Sequence, residues 1–353
     1  MKIIHTADIH LGSKMEAKLP KDKSDQRKAE LRSTFSRLIA YAKESDIKVV
    51  LLSGDIFDMD NPYKKDKDFF YSVVRNNPEI DFLYLRGNHD SSTVYDDNSL
   101  KNLKTFSKQW TCYEYDDINI WGIEMDEENA ESLYSTLITN PDKKNIVMLH
   151  GQTSDSVGNG LINLSKLKFK NIDYLALGHI HKFQTGKIDD RGVYAYCGCL
   201  EPRGFDEIGE KGFIQLDTDD ISQFRFMPFS ARTIYEVDVD VTGAKDIYEV
   251  ISYIKKQITL NPKDMYRINL VGTLPFEMGG IAKDVESMVG SNCYFLSVKD
   301  KTNKPVDFSS FENEKSLAGE FVRQVKAATN LSDEEKDAIV ALGINAIQGK
   351  ELE

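Results

Sequence analysis

Apolar and polar residues alternate along the first two-thirds of the chain in a pattern that predicts short strands separated by helices. The strand candidates are Lys2–Thr6, Lys48–Ser53, Asp81–Leu85, Ile118–Ile123, Asn145–Leu149 and Asp173–Leu177. Between the first two, the segment from Gln26 to Lys43 carries apolar residues at helical spacing. Alternation of strand and helix predicts an α/β core. From about Phe183 to Phe229, shorter strands and glycines indicate β-hairpins that pack on a second sheet.

A different pattern begins near Thr233. Three predicted strands alternate with two predicted helices, which is typical of a compact α+β unit; they cover Tyr235–Val241, Ala244–Ile258, Tyr266–Val271, Ile281–Val289 and Tyr294–Val298. After Pro305 the pattern predicts two further helices, Ser316–Ala328 and Ser332–Gln348, and Ser332 with Glu335 forms the sequence signature of a capping box. We therefore expect a domain over residues 1–229, a smaller α+β domain over 233–305 and a helical tail over 306–353.

The composition is that of an ordinary globular protein, with 41% hydrophobic and 29% charged residues among 353. Apolar runs fall short of the roughly 20 residues that span a bilayer, and the N-terminus is typical of a strand rather than a signal peptide. Four cysteines in a chain without an export signal favour free thiols and a cytoplasmic location. Cys197 and Cys199 resemble half of a metal site, but the chain has no second such pair.

Five clusters of histidine, carboxylate, amide and glycine residues follow the predicted strands in order. They are Asp8-Ile9-His10, Gly54-Asp55-Ile56-Phe57-Asp58, Gly87-Asn88-His89-Asp90, His150-Gly151 and Gly178-His179-Ile180-His181. The carboxyl ends of strands in an α/β sheet gather at one edge, where ligands bind. Each cluster alone is weak evidence for a metal site, because a single cluster of this kind marks a turn more often than it binds a metal ion. His5 lies inside the first strand, and we expect it to be structural.

Together the clusters predict a metal centre. Burying this many imidazoles and carboxylates in one volume is costly without cations. A mixed imidazole and carboxylate set suits Mn, Fe or Zn better than Mg or Ca. Two metal ions held close together polarise phosphate oxygens and lower the pKa of a bridging water, so that hydroxide attacks phosphorus at neutral pH.

The ordered set of motifs resembles the calcineurin-like metallophosphoesterase superfamily over about residues 1–229. Within it, the sequences His5-Thr6-Ala7-Asp8-Ile9-His10-Leu11-Gly12 and Gly54-Asp55-Ile56-Phe57-Asp58 resemble the SbcD family, the nuclease subunits of the SbcCD double-strand-break repair complex. Gly198-Cys199-Leu200-Glu201 and Glu210-Lys211-Gly212-Phe213 resemble a less specific landmark of the same nucleases. The resemblance implies a four-layer α/β/β/α sandwich, with residues 233–305 as a capping domain.

The resemblance also implies roles for individual residues. Asp8, His10 and His181 would bind one metal ion, usually Mn in this family, and Asn88, His150 and His179 would bind the other, with Asp55 bridging both. His89 would stand beside the scissile phosphate. Asp58 lies where some relatives carry a phosphate-holding histidine, and a carboxylate there more plausibly orients a ligand such as His89.

The net charge of −12 contrasts with the basic character of most nucleic-acid binders. From Gly12 to Arg32, however, seven cations face four anions, a local excess of three positive charges. Lys14, Lys18 and Arg27 in this segment are candidate DNA contacts; the alternative is a solvated loop that leads into a helix.

The active site by itself leaves three interpretations open. The first is a Mn-dependent DNA nuclease of the SbcD type. The second is a phosphoesterase for a small substrate such as a cyclic nucleotide or a phosphomonoester, and the third is a binding subunit with little activity. The tail helices have apolar faces that suit either the chain's own core or a partner's groove. In SbcD relatives such helices hold the coiled-coil base of the SbcC ATPase, and the phosphoesterase core forms homodimers.

Overall fold

The computed structural model describes residues 1–15, 19–90, 100–274, 280–303, 311 and 314–347. Their strands are β1 Lys2–Thr6, β2 Val49–Ser53, β3 Asp81–Leu85, β4 Leu103–Thr105, β5 Thr111–Tyr115, β6 Ile118–Gly122, β7 Lys144–His150, β8 Gln152–Ser154, β9 Leu161–Asn163, β10 Tyr174–Gly178, β11 Gln184–Lys187, β12 Val193–Tyr196, β13 Gly212–Asp217, β14 Arg225–Pro228, β15 Ile234–Asp240, β16 Met265–Val271 and β17 Phe295–Asp300. Their α-helices are α1 Lys21–Glu44, α2 Lys64–Arg75, α3 Leu133–Thr136, α4 Leu164–Leu167, α5 Ile247–Gln257, α6 Ile281–Val289, α7 Leu317–Ala327 and α8 Asp333–Ile347.

Two six-stranded sheets form the first part of the chain. One has the order β14-β13-β1-β2-β3-β4 and the other β11-β12-β10-β7-β6-β5. In each, the central strands run parallel: β1 through β4 in the first sheet, and β6, β7, β10 and β12 in the second. The carboxyl ends of the parallel strands in each sheet therefore lie at one edge of that sheet.

Successive residues of a strand point to opposite faces of its sheet, so each strand contributes side chains to two different layers of the core. On β2, Val50 and Leu52 pack with the apolar faces of α1 and α2, whereas Val49 and Leu51 join the cluster between the two sheets. A third cluster packs α3 and α4 on the outer face of the second sheet. These clusters give the order helix, sheet, sheet, helix, so the predicted four-layer α/β fold is confirmed.

Helix α1 begins at Lys21, directly after Pro20, although the apolar spacing predicted a start near Gln26. Its first turn carries no apolar residue, so the hydrophobic period gives no signal there. The face that packs on the sheet is the predicted one, because Leu31, Phe35 and Leu38 are all buried.

The chain divides into two compact units. The first comprises Met1–Glu236, Leu260–Arg267 and Ser291–Leu296, and the second comprises Val237–Thr259, Ile268–Gly290 and Ser297–Glu353. Strands β15, β16 and β17 form a three-stranded sheet, and helices α5 and α6 alternate with these strands along the chain, as the α+β pattern predicted.

The tail helices α7 and α8 pack on each other in the second unit. Val322 meets Val340 and Ile344 in a small buried cluster. A β-carbon on Gly343 would overlap the ring of Phe321, so this glycine lets the two helices approach closely. The capping box is confirmed, since the backbone N–H of Ser332 donates to Glu335 Oε2 at 2.8 Å and the N–H of Glu335 donates back to the Ser332 hydroxyl at 3.2 Å.

No helix in the described part of the chain combines the length and the apolar character needed to cross a lipid bilayer.

Candidate metal centre

The residues predicted to bind metal lie at the carboxyl ends of five strands. Asp8 and His10 follow β1, Asp55 follows β2, Asn88 follows β3, His150 ends β7, and His179 and His181 follow β10. Asp8, His10, Asp55 and His179 have positive φ angles of 51°, 51°, 53° and 98°. Non-glycine residues rarely adopt such angles, and strain of this kind clusters at functional sites.

One group of ligand atoms comes from Asp8, His10 and His181, all within 4.8 Å of one another. The Nε2 atoms of His10 and His181 are 3.2 Å apart. The Asp8 carboxylate accepts the backbone N–H of His179 at 2.9 and 3.0 Å, which fixes its orientation. All three side chains thus converge on one small volume.

A second group comes from Asp55, His150 and His179, again within 4.8 Å. The side-chain oxygen of Asn88 joins it, at 3.0 Å from His150 Nε2 and 3.0 Å from His179 Nδ1. His150 Nδ1 lies 2.9 Å from the backbone oxygen of Ser53. A carbonyl oxygen can only accept, so Nδ1 carries a hydrogen and Nε2 is the ring nitrogen directed at this group.

Asp55 connects the two groups. Its Oδ2 atom lies 3.9 Å from His10 Nε2 and 3.4 Å from His150 Nε2. Its Oδ1 atom accepts the backbone N–H of His89 at 2.9 Å. The carboxylate therefore stands between one histidine of each group.

Two carboxylates, the buried Glu207 and the partly exposed Asp58, lie behind two of the imidazoles. Asp58 Oδ1 lies 3.0 Å from His10 Nδ1, and Glu207 Oε1 lies 2.7 Å from His181 Nδ1. The closest imidazole contact of the Asp58 carboxylate is thus with His10; one of its oxygens also lies within 4.8 Å of a His89 ring nitrogen, and the backbone oxygen of Asp58 is 3.3 Å from His89 Nδ1. Carboxylate–histidine pairs of this kind hold metal ligands in the productive tautomer.

Asp90 holds the loops that carry Asp55 and Asn88. Its carboxylate accepts the backbone N–H groups of Ile56 and Gly87, at 2.8 and 2.6 Å, and the hydroxyl of Tyr84 at 2.6 Å. The sequence contained Asp90 within a motif but gave no signal of this role. It likewise gave no signal for Glu207, which is 26 residues from His181 along the chain.

The electrostatics of the centre call for cations. Burial raises the pKa of Asp8 to about 6 and lowers the pKa of His10 to about 4. Burial also acts to lower the pKa of His150, but the nearby Asp55 carboxylate outweighs it and raises that pKa to about 9. The buried Asp55 carboxylate thus favours a positive charge beside it. A mixed set of imidazole, carboxylate and amide donors around two adjacent volumes fits two divalent metal ions.

The three predicted DNA contacts fall in different surroundings. Lys14 is exposed and lines a cleft of about 280 Å³, whereas Lys18 lies outside the described residues. Arg27 is buried, and its guanidinium donates to Glu201 Oε2 and to the carbonyl of Pro202, both at 2.9 Å. The Glu201 carboxylate compensates the charge of Arg27 inside the protein, so Arg27 is not available to contact DNA.

Comparison with known proteins agrees with the fold and the site. The family described as calcineurin-like phosphoesterase matches residues 1–183, and the chain belongs to that family. It is a metal-dependent phosphodiesterase whose centre takes two divalent ions. Both predictions, of the superfamily and of the enzyme class, are confirmed.

Curated relatives extend the similarity beyond the phosphoesterase core. The chain is 24% identical over 307 residues to the DNA double-strand break repair protein Mre11 of Sulfolobus acidocaldarius, covering 81% of this chain and 77% of the relative. It is 26% identical over 328 residues to the protein of the same name from Sulfurisphaera tokodaii, covering 86% and 81%. It is also 26% identical over 312 residues to an uncharacterized metallophosphoesterase, YhaO, of Bacillus subtilis, covering 78% and 72%.

Proposed function

We propose that the protein is a Mn-dependent DNA nuclease of the SbcD type that acts in double-strand-break repair. The observation that carries this proposal is the pair of ligand groups joined by Asp55, with His89 beside them. Support for DNA as the substrate comes from relatives named as double-strand break repair proteins, whose similarity covers 77% and 81% of their length.

The ligand assignment follows the two groups. Asp8, His10 and His181 hold one metal ion, and Asn88, His150 and His179 hold the other, with Asp55 shared by both. Manganese suits this mixture of nitrogen and oxygen donors, and iron or zinc fits the same donors. When bound, two such ions supply Lewis-acid activation of a water nucleophile and of the phosphate oxygens.

His89 is placed to act on the substrate. Its side chain is exposed, and its ring lies edge-on to that of His10 with centroids 4.9 Å apart. Because the Asp58 backbone oxygen can only accept, Nδ1 of His89 carries a hydrogen and Nε2 is the ring atom that holds or moves a proton. We assign His89 to proton transfer or charge stabilisation at the leaving group. Asp58 contributes to catalysis by positioning His10.

DNA backbone contacts are assigned to the cleft beside the first ligand loop. Lys14 shares it with Lys28, Arg32 and Lys65, while Tyr63 adds an exposed aromatic ring. Arg32 pairs with the buried Asp66 at 3.0 Å, so its charge is partly compensated. Exposed lysines bind phosphates through their charge, and this contribution falls with added salt.

The tail is assigned to a coiled-coil ATPase partner of the SbcC type. The α7 and α8 hairpin buries Val322 and Val340, yet Leu317 and Leu342 remain 75% and 57% exposed. Exposed apolar side chains on a helical hairpin suit a helical partner. A homodimer formed through helices of the phosphoesterase core belongs to the same proposal.

One parallel assay tests the substrate. The purified full-length protein with Mn²⁺ is offered single-stranded DNA, blunt duplex DNA, a cyclic nucleotide and p-nitrophenyl phosphate. We expect the protein to cleave DNA, and we expect EDTA to abolish the cleavage. The Lys14→Ala variant should cleave DNA more weakly at physiological salt. The control variant Lys187→Ala, which replaces an exposed lysine on β11, should cleave DNA as the wild type does. Hydrolysis of the small substrates without cleavage of DNA would reject the nuclease and favour a small-molecule phosphoesterase.

A further inference from the structure

Arg203 lies in the loop between β12 and β13 and binds two carboxylates at once. Its Nη1 atom donates to Asp58 Oδ1 at 2.9 Å, and its Nε atom donates to Glu207 Oε1 at 3.0 Å. The backbone N–H of Arg203 also donates to Glu207 Oε2, at 2.6 Å. The planar guanidinium thus joins side chains from two different loops.

Each of these carboxylates holds one histidine of the same ligand group. Asp58 contacts Nδ1 of His10, and Glu207 contacts Nδ1 of His181. On the opposite side of the rings, the two Nε2 atoms face each other across 3.2 Å. The Arg203 guanidinium therefore stands behind both imidazoles, whereas Nδ1 of His150 lies against the Ser53 carbonyl.

The loop that carries Arg203 is itself fixed. Glu201, which is 1% exposed, accepts from Arg27 at 2.9 Å and from the hydroxyl of Thr34 at 2.6 Å, both on α1. The backbone N–H of Ala231 donates to the same carboxylate. Anchoring on a long helix lets the loop hold Arg203 in one place, which is the support that a precisely shaped site requires.

We propose that Arg203 is a positioning residue that sets the geometry of one metal site, by holding the Asp58–His10 and Glu207–His181 pairs together. The inference rests on the proposed assignment of His10 and His181 as ligands of the same ion. Outer-shell partners of this kind typically change metal affinity by about 10- to 100-fold. Lysine cannot replace the planar fork that reaches two carboxylates.

Charge alone predicts the opposite effect. A cation close to a metal site repels the incoming ion, so removal of the arginine charge should strengthen metal binding if Arg203 acts only through its field. If Arg203 acts by positioning, its removal should weaken binding at one site and leave the other unchanged. The sign of the change therefore separates the two explanations.

The experiment titrates Mn²⁺ into the full-length metal-free protein by calorimetry, for wild type, Arg203→Gln, Arg203→Lys and Arg191→Gln. Arg191 is the matched control, because it binds Asp173 at 2.9 Å in the same unit without contact to the centre. We expect two ions in the wild type and in Arg191→Gln. In Arg203→Gln we expect one site at wild-type affinity and the other about 10- to 100-fold weaker, with Arg203→Lys between them.

Unchanged or tighter binding in Arg203→Gln overturns the proposal, and so does equal weakening in Arg191→Gln. Thermal unfolding in EDTA checks that the metal-free variants fold; if Arg203→Gln does not fold, Arg203→Lys decides, and full wild-type affinity in that variant overturns the proposal. A wild type that binds fewer than two ions overturns it together with the ligand assignment. If the Mn²⁺ titrations give the expected affinities but the wild-type protein does not cleave DNA, only the proposed substrate is rejected.

Discussion

A β-carbon placed on Gly54 would overlap Nδ1 of His150, the atom that donates to the Ser53 carbonyl. Gly54 also has a φ of +94°, which glycine adopts without strain. The missing side chain is therefore what allows β2 and the end of β7 to meet at the metal centre.

The first prediction follows from this contact. We expect Gly54→Ala to displace His150 and to weaken metal binding at that site by at least 10-fold, together with Mn-dependent turnover. Gly243→Ala is the matched control, because Gly243 has a φ of +82° and open space around the added carbon. The control should cost about 1–2 kcal/mol of stability but keep both ions. Mn²⁺ titration of both variants makes the comparison; equal affinities would contradict the steric role.

The second prediction concerns Asp55. Because its carboxylate stands between the two ligand groups, Asp55→Ala should lower metal content and abolish Mn-dependent cleavage. Asp81→Ala provides the control, since Asp81 lies at the opposite end of a strand of the same sheet. Metal content is measured by elemental analysis after dialysis. Full occupancy in Asp55→Ala would reject the bridging assignment.

The third prediction separates chemistry from binding at His89. We expect His89→Ala to keep both metal ions and to bind DNA as the wild type does, while turnover falls by about 10²–10⁴-fold, the usual contribution of a positioned acid. Single-turnover cleavage and a DNA-binding titration in Ca²⁺ measure the two properties. Loss of a metal ion in this variant would make His89 a ligand instead.

The fourth prediction is a pH dependence of stability caused by His5. This side chain is fully buried, its Nδ1 lies 2.9 Å from the Tyr174 hydroxyl, and burial lowers its pKa to about 3. The unfolded chain takes up a proton at His5 near pH 6.5 whereas the folded chain does not, so the free energy of unfolding falls as the pH drops from about 6.5 toward 3.

Replacement of His5 by asparagine removes this titration while it keeps a polar atom near Tyr174. We expect the variant to lose stability less steeply than the wild type below pH 6.5, by up to about 1.4 kcal/mol per pH unit. Urea unfolding in EDTA at several pH values excludes effects of metal release. Identical slopes for the two proteins would show that His5 is not responsible.

The fifth prediction concerns the tail. Truncation after residue 305 removes the α7 and α8 hairpin, which contributes none of the clustered ligand residues. We expect the shortened protein to cleave short single-stranded DNA at the wild-type rate. It should lose co-purification with a coiled-coil ATPase of the SbcC type and any ATP-dependent cutting of duplex DNA. A fall of several degrees in melting temperature with loss of all activity would make the tail part of the fold.

The sequence by itself determined much of the fold and most of the metal centre. Strands β1 and β3 have their predicted bounds, because each is a short continuous run that is buried on both faces of its sheet. Asp8, His10, Asp55 and His150 could be predicted as ligands because each stands at a strand end, next to a recognisable apolar run. The predicted domain limits at residues 229, 233 and 305 stay predictions.

Tertiary structure alone decided which partner each side chain has. Arg27 belongs to a run of cations that suggested DNA contact, yet it is buried against Glu201, 174 residues away. Asp58 lies against His10 and Glu207 against His181, and Arg203 contacts both carboxylates. A local pattern records the burial and the chemistry of a residue, but hydrogen bonds between distant loops depend on how the layers pack. The sequence therefore determined where the predicted ligands lie along the chain, and the tertiary structure decided how their side chains are oriented.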